Sequence, residues 1–295
     1  MSITSAMFSG VSGLLANAEG INVIGNNLAN VNTIGFKYNR MLFADMMYVD
    51  AGNGSQIGRG AQIQKIDSVM GQGAFESTEV VTDLAIQGEG FFALGAPSAA
   101  AGSTVAAADA YYTRAGTFRL GVAESGLLPL QTPMAYKVLD EAGSPIFIPE
   151  SYTDSTPTTF TFQKISTIEN NGILSILYAD TAGNPLTMYY AGGASYIDAD
   201  VANARRVGYA TVANPPALAK EGGTLFRPTI ASGTPTIGSA NGNNSKMFSN
   251  SLEQSNVDMA AQFVKMILTQ RAYSANSKTI TTADEMTQEV LNLKR

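Results

Sequence analysis

The chain has 295 residues, with 18 Lys and Arg against 24 Asp and Glu, a net charge of −6, and no Cys, His or Trp. That acidic balance argues against nucleic acid, which needs a basic stripe to neutralise phosphates. The missing residues exclude the usual zinc sites, a Ser-His-Asp triad, thiol nucleophiles and a disulfide framework. Charged residues make up only 14%, against about 25% in a typical soluble chain. Much of the polar surface is therefore uncharged, and such surface is buried against a neighbouring subunit at less cost than a charged one.

The first twenty residues, MSITSAMFSGVSGLLANAEG, lack a basic region ahead of an apolar run, so no cleaved secretory signal is expected. No run approaches the ~18 apolar residues of a membrane span, so direct membrane insertion is not expected. Met7, Val11, Leu14, Ala18, Ile21 and Leu28 alternate steps of four and three, with Gly25 filling one gap. This is a heptad seam, and it predicts a helix. Gly10, Gly13, Gly20 and Gly25 weaken that helix by about 1 kcal/mol each relative to Ala, so it is expected to need a partner.

Asn26, Asn27, Asn30 and Asn32 follow. They read as caps and turns ending the helix, because Asn bonds its own backbone and tolerates left-handed conformations. Gly35 suits a chain reversal, with Phe36 in apolar contact.

From residue 75 to about 232 the texture becomes strand and turn. Leu84–Gln87, Gly90–Leu94, Lys137–Asp140, Ile146–Pro149, Thr158–Lys164, Gly172–Tyr178 and Leu186–Tyr190 are strand-like, with turn signals between them. They predict a β-sandwich or barrel-like region, one domain or two with a division near 150. Gly95–Asp109 reads as an exposed loop, and Gly88-Glu89-Gly90 as a hairpin turn rather than a phosphate loop, since no third glycine or helix follows. Asp83 with Glu89, and Asp198 with Asp200, are the acid pairs a glycoside-cleaving site would need, but nothing places them in a pocket. Arg114, Arg205 and Arg206 read as solvated or paired with carboxylates.

Residues 255–295 contain no Pro or Gly. Ser255 or Asn256 is a candidate cap, with Asp258 in the first turn. Met259, Phe263, Met266, Tyr273 and Ile280 keep heptad spacing, interrupted by Gln270 and Ser277. The stripe continues through Ala283, Met286, Val290 and Leu293, and Lys294 and Arg295 stand where the helix dipole favours cations. One long helix, or two broken near Asn276–Thr282, is expected. The layout is mainly β with paired terminal helices. Residues 1–34 and 252–295 form the helical part, 35–74 and 233–251 are extended connectors, and 75–232 is the β region.

Four segments resemble the flagellar rod and hook proteins: GNNLANVNTIGFK from Gly25, LAIQGEGFFAL at Leu84–Leu94, YTRAGTFRL at Tyr112–Leu120, and LEQSNVDMAAQFVKMILTQRAYSANSKTITTADEM at Leu252–Met286. They occur in the family's order and cover both ends and the first part of the β region. The openings SAMFSGVSGL, GRGAQI and LEQSNVD look hook-like, whereas the length pulls toward a rod protein. The resemblance implies a non-enzymatic subunit, without cofactor or metal, that assembles helically through its terminal helices. The self-assembly residues it implies are Met7, Val11, Leu14, Ala18, Ile21, Leu28, Met259, Phe263, Met266, Tyr273, Ile280, Met286, Val290 and Leu293. Asn26, Asn27, Asn30, Gly35 and Phe36 carry the family signature. Further copies, axial proteins at the rod and filament junctions, the type III export apparatus and a hook cap are the implied partners. The extracellular hook is the implied location, a distal or proximal rod subunit the alternative, and a secreted β-sandwich carbohydrate-active enzyme the remote one.

Overall fold

The computed structural model describes residues 3–52, 54–153, 158–192, 196–240 and 245–293. Two compact units result. One takes the chain up to residue 32, residues 37–70 and the chain from 257 onward; the other takes 33–36 and 71–256.

The first unit holds both long helices, α1 (Ile3–Ala29) and α2 (Met259–Leu293). Helix α2 runs unbroken through Asn276–Thr282, as a segment free of Gly and Pro can. Its cap is Asp258, whose carboxylate accepts the Ala261 N–H at 3.1 Å. Neither expected cap holds the helix start; the Asn256 amide instead donates to the Gly71 carbonyl at 2.9 Å. Lys294 and Arg295 lie outside the described residues.

Residues 35–74 differ from the extended connector that was expected. Asn39–Asp45 pairs antiparallel with Ala61–Ser68 through a bulge at Leu42/Phe43, and Val49–Gly52 pairs with Ser55–Ile57. The longer pair packs on α1, which supplies the apolar cover that an isolated two-stranded ribbon lacks.

The second unit is β-rich. Its larger sheet follows the order Phe147–Pro149, Leu127–Gln131, Lys137–Val138, Phe91–Gly95, Tyr111–Thr113, Leu225–Arg227, Ala219–Gly222. A five-stranded antiparallel meander runs from Ser151–Thr153 to Tyr196–Asp198. Leu84, Phe92, Leu130 and Ile148 share one buried cluster with Ile165, Leu174 and Tyr178. The core is thus continuous across residue 150. Gly95 ends a strand, residues 96–109 have turns but no strand, and the segment is tied down where the Val105 N–H donates to the Gly143 carbonyl at 2.8 Å.

Two expectations change here. The 233–251 segment is not a plain connector: Thr236–Gly238 pairs with Tyr209–Thr211, and Lys246–Ser249 with Leu84–Gln87. Gly88-Glu89-Gly90 is not a hairpin turn, because the strand before it pairs with Lys246–Ser249 and the strand after it with Tyr111–Thr113. Both partners are remote in sequence, so no local turn signal announces them.

Candidate assembly interface

The helices α1 and α2 run antiparallel, with Gly20 facing Thr269, Gly13 facing Asn276 and Gly10 facing Ile280. A Cβ at Gly13 would lie 2.7 Å from Asn276 Nδ2, and one at Gly10 3.0 Å from Ile280 Cγ1. Glycine stands where the helix backbones approach most closely. Among the residues whose burial is described, Gly10, Ala16, Gly20, Val23, Ile24 and Asn27 are the buried positions of α1, and Gln262 and Ala283 those of α2. The helices therefore approach where α1 carries glycine, against Thr269, Asn276 and Ile280 of α2. Of the predicted apolar stripe, Ile280 faces Gly10 and Ala283 is buried. The seven-residue step from Gly13 to Gly20 is the signal in the sequence for this approach.

Other residues of the predicted stripe are less covered. On α1, Met7, Leu14, Ala18, Ile21 and Leu28 are half-buried and Val11 is exposed. On α2, Met266 and Ile280 are half-buried, while Met259, Phe263, Tyr273, Met286, Val290 and Leu293 are exposed, Phe263 at 52% and Leu293 at 86%. Phe8, Leu15, Val264, Ile267 and Leu268, which heptad counting passes over, are exposed as well. Exposed apolar side chains in this number on both helices point to an interaction face.

Asn27 is not a turn residue. Its Nδ2 donates to the Asn39 carbonyl at 2.8 Å, its Oδ1 accepts the Asn39 N–H at 2.8 Å, and Nδ2 also reaches Gln262 Oε1 at 3.3 Å. One buried amide thus joins α1, the strand beginning at Asn39, and α2. Asn30 does close the helix end, donating to the Asn26 carbonyl at 2.9 Å. Asn26 and Asn32 are exposed.

Within the second unit, the four signature segments meet. Arg114 Nη1 is 3.1 Å from Glu253 Oε2, with both side chains buried. Arg114 also donates to the carbonyls of Ile86 (3.3 Å) and Gly88 (2.7 Å), and its guanidinium sits 5.4 Å from the Phe91 ring centroid. Glu253 Oε1 accepts the Gly73 N–H at 2.8 Å, and its carbonyl accepts the Gly35 N–H at 2.8 Å. Gly35 has φ +69°, and a Cβ there would come within 2.5 Å of the Ala115 nitrogen. Only glycine fits. Phe36 lies under the Lys220 ammonium, 5.5 Å from its ring centroid.

Of the carboxylates weighed for acid–base chemistry, Asp83, Asp198 and Asp200 have structural employment and Glu89 is exposed. Asp83 is buried against Arg119. Asp200 caps a short 3-10 turn, and Asp198 accepts the Asp200 N–H and the Asn203 amide, bonds that hold its carboxyl below the usual range. Arg205 pairs with fully buried Asp140 at 3.1 Å, and Arg206 donates to Ser239 Oγ at 3.2 Å. No group of His, Cys, Asp and Glu suited to a metal ion occurs among the described residues. Among those residues, too, no helix is long and apolar enough to cross a membrane.

These features define a class: a chain whose two ends build one helical unit with outward apolar faces, and whose middle builds a β-rich unit. Comparison with known proteins agrees. Residues 249–293 match the family described as flagellar basal body rod FlgEFG protein C-terminal, and residues 7–37 match flagella basal body rod protein. The flagellar basal-body rod protein FlgG of Bacillus subtilis is 35% identical over 304 residues, covering 98% of this chain and 99% of the relative. FlgG of Borreliella burgdorferi is 33% identical, covering 98% of each chain. The flagellar hook protein FlgE of the same organism is 27% identical over 448 residues, with 98% and 99% coverage. The chain belongs to the flagellar rod and hook protein family, and is an axial structural component of the flagellum. The higher identities lie with rod proteins, which reverses the preference for the hook drawn from the motif openings.

Proposed function

We propose that this chain is a rod subunit of the flagellar basal body, assembling with further copies into a helical axial polymer through the outward faces of α1 and α2. The observation that carries the rod reading is collinearity. The rod relatives align over 304 residues, close to the chain's own 295. The hook relative needs 448, and so spans a long stretch with no counterpart here.

The exposed stripes support the assembly reading. Burying five or six such side chains at about 1.5–3 kcal/mol each contributes on the order of 10 kcal/mol gross per subunit. Ordering the helices consumes much of this. Met259, Phe263, Tyr273, Met286, Val290 and Leu293, with Val11 of α1, are the residues assigned to that contact. Adjoining axial proteins and the type III export apparatus are the other partners in this reading.

Electron microscopy of basal bodies from a strain lacking the gene tests it. A missing or truncated rod is the expected result. Complete rods that lack a hook would restore the hook reading, and intact hooks and filaments would overturn both.

A further inference from the structure

A cavity of about 290 Å³ opens in the helical unit between α1, the strand Asn39–Asp45 and α2. Val23, Ile24, Met41, Phe43 and Leu268 make it apolar, and its charged lining is Arg40 and Lys265, with no carboxylate. Arg40 is already shared with Asp67, 3.5 Å away; Lys265 lies over the Tyr38 ring, 6.0 Å from the centroid. An apolar cavity of ~150 Å³ holds a benzene, so this one accommodates a pair of aliphatic side chains.

At the other end of the same helix pair is a segment of matching chemistry. The facing of Gly10 on Ile280 and Gly13 on Asn276 brings Ile3 opposite Met286. Val290, Leu291 and Leu293 therefore extend beyond the described part of α1, and they are 56%, 62% and 86% exposed. Val290 and Leu293 share a face at helical spacing, flanked by Glu289; Asp284 and Glu285 lie one turn earlier. Lys294 and Arg295 follow in the sequence, so this end carries three carboxylates against two cations; Glu289 is the carboxylate next to Val290, whereas the cavity's charged lining is cationic.

The tip cannot fill the cavity of its own chain. From Leu268 to Val290 along one unbroken helix is about 33 Å at 1.5 Å per residue. We propose that the last turns of α2 in one copy seat Val290 and Leu293 in the cavity of the next copy, with Glu289 against Lys265. The two patches differ and lie at opposite ends of the helical unit. The contact is heterologous and repeats head to tail, giving an open polymer rather than a closed ring when the rotation does not close. This rests on the axial-subunit reading above, and specifies which surfaces meet.

The chain has no cysteine, so thiol cross-linking reports on introduced positions alone. Full-length Leu268→Cys/Val290→Cys is expressed in the deletion strain, and isolated basal bodies are treated with a short bis-maleimide. An intrachain link would have to span about 33 Å along the helix, so every adduct is between copies. A ladder of oligomers is expected from the double variant, with each single variant alone at least tenfold weaker and their mixture stopping at dimers. Assembled rods with no ladder, from this pair and from Phe43→Cys/Leu293→Cys, overturn the seating while leaving the rod reading intact. Charge exchange gives a second readout. Lys265→Glu and Glu289→Lys each reduce swarming, and the two together restore it; a pair no better than either single variant counts against the contact. If the deletion strain still builds complete rods, the rod reading fails and takes this proposal with it.

Discussion

Arg114 and Glu253, far apart in sequence, form an ion pair of 3.1 Å in which the two side chains are 4% and 0% exposed. Around it lie Gly35, the Leu84–Gln87 strand end and Gly88. Removing one partner leaves an uncompensated buried charge, which costs about 3–5 kcal/mol. Arg114→Met and Glu253→Met are each expected to lower the urea midpoint of the full chain by that equivalent. The double variant should recover part of the loss, because the isolated charge is gone although the Gly73 N–H and Gly88 carbonyl lose their partners. A double variant as unstable as the sum of the singles would falsify the ion-pair account.

Gly35→Ala and Gly25→Ala should act in opposite directions. At Gly35 the added methyl meets a positive φ and the Ala115 nitrogen, so destabilisation beyond about 1 kcal/mol is expected. At Gly25 nothing lies within 4 Å of the added atom, and helix propensity favours Ala by about 1 kcal/mol. Thermal unfolding followed by circular dichroism separates them; equal losses at both positions would refute the argument from space.

Asn27 satisfies both backbone groups of Asn39. Asn27→Ala removes a donor and an acceptor from a buried site, at about 1–3 kcal/mol. Hydrogen exchange at the Asn39 amide should accelerate correspondingly. Asn27→Asp, which keeps the acceptor, should protect that amide better than alanine does.

Phe263→Glu tests assembly apart from folding. The side chain is half exposed, and surface changes of this kind usually alter stability within about 0.5 kcal/mol. Unfolding of the monomer should be nearly unchanged while swarming motility is lost. Normal motility would remove Phe263 from the subunit contact.

Tyr112, Tyr178 and Tyr190 are held well above the ordinary tyrosine pKa of about 10, chiefly by burial. Tyr112 and Tyr178 donate to the carbonyls of Ala107 (2.6 Å) and Pro149 (2.7 Å). Above about pH 10 the unfolded chain releases these protons and the folded chain keeps them. The folded state then binds more protons, and stability falls as pH rises. Alkaline titration followed by tyrosinate absorbance should show these groups ionising together with unfolding; gradual ionisation of the intact fold would contradict their burial.

Local pattern in the sequence was enough for the two terminal helices, the seven strand-like runs and the family resemblance. Helix periodicity and strand texture arise from neighbours a few residues apart, and composition records what chemistry is missing. Tertiary structure alone decided which face of each helix meets the other. The heptad count finds Ile280, which faces Gly10, but also Val11, Phe263 and Val290, which are exposed; the close approach itself runs through Gly10, Gly13 and Asn276. Apolar periodicity says that a face will be covered and not by what; close backbone approach favours glycine, which carries no hydrophobic signal. The same holds for Glu253 and Asn27, read as motif letters and helix-end polarity. Their partners, Arg114 for the one and Asn39 with Gln262 for the other, come from segments that only folding brings within hydrogen-bond reach.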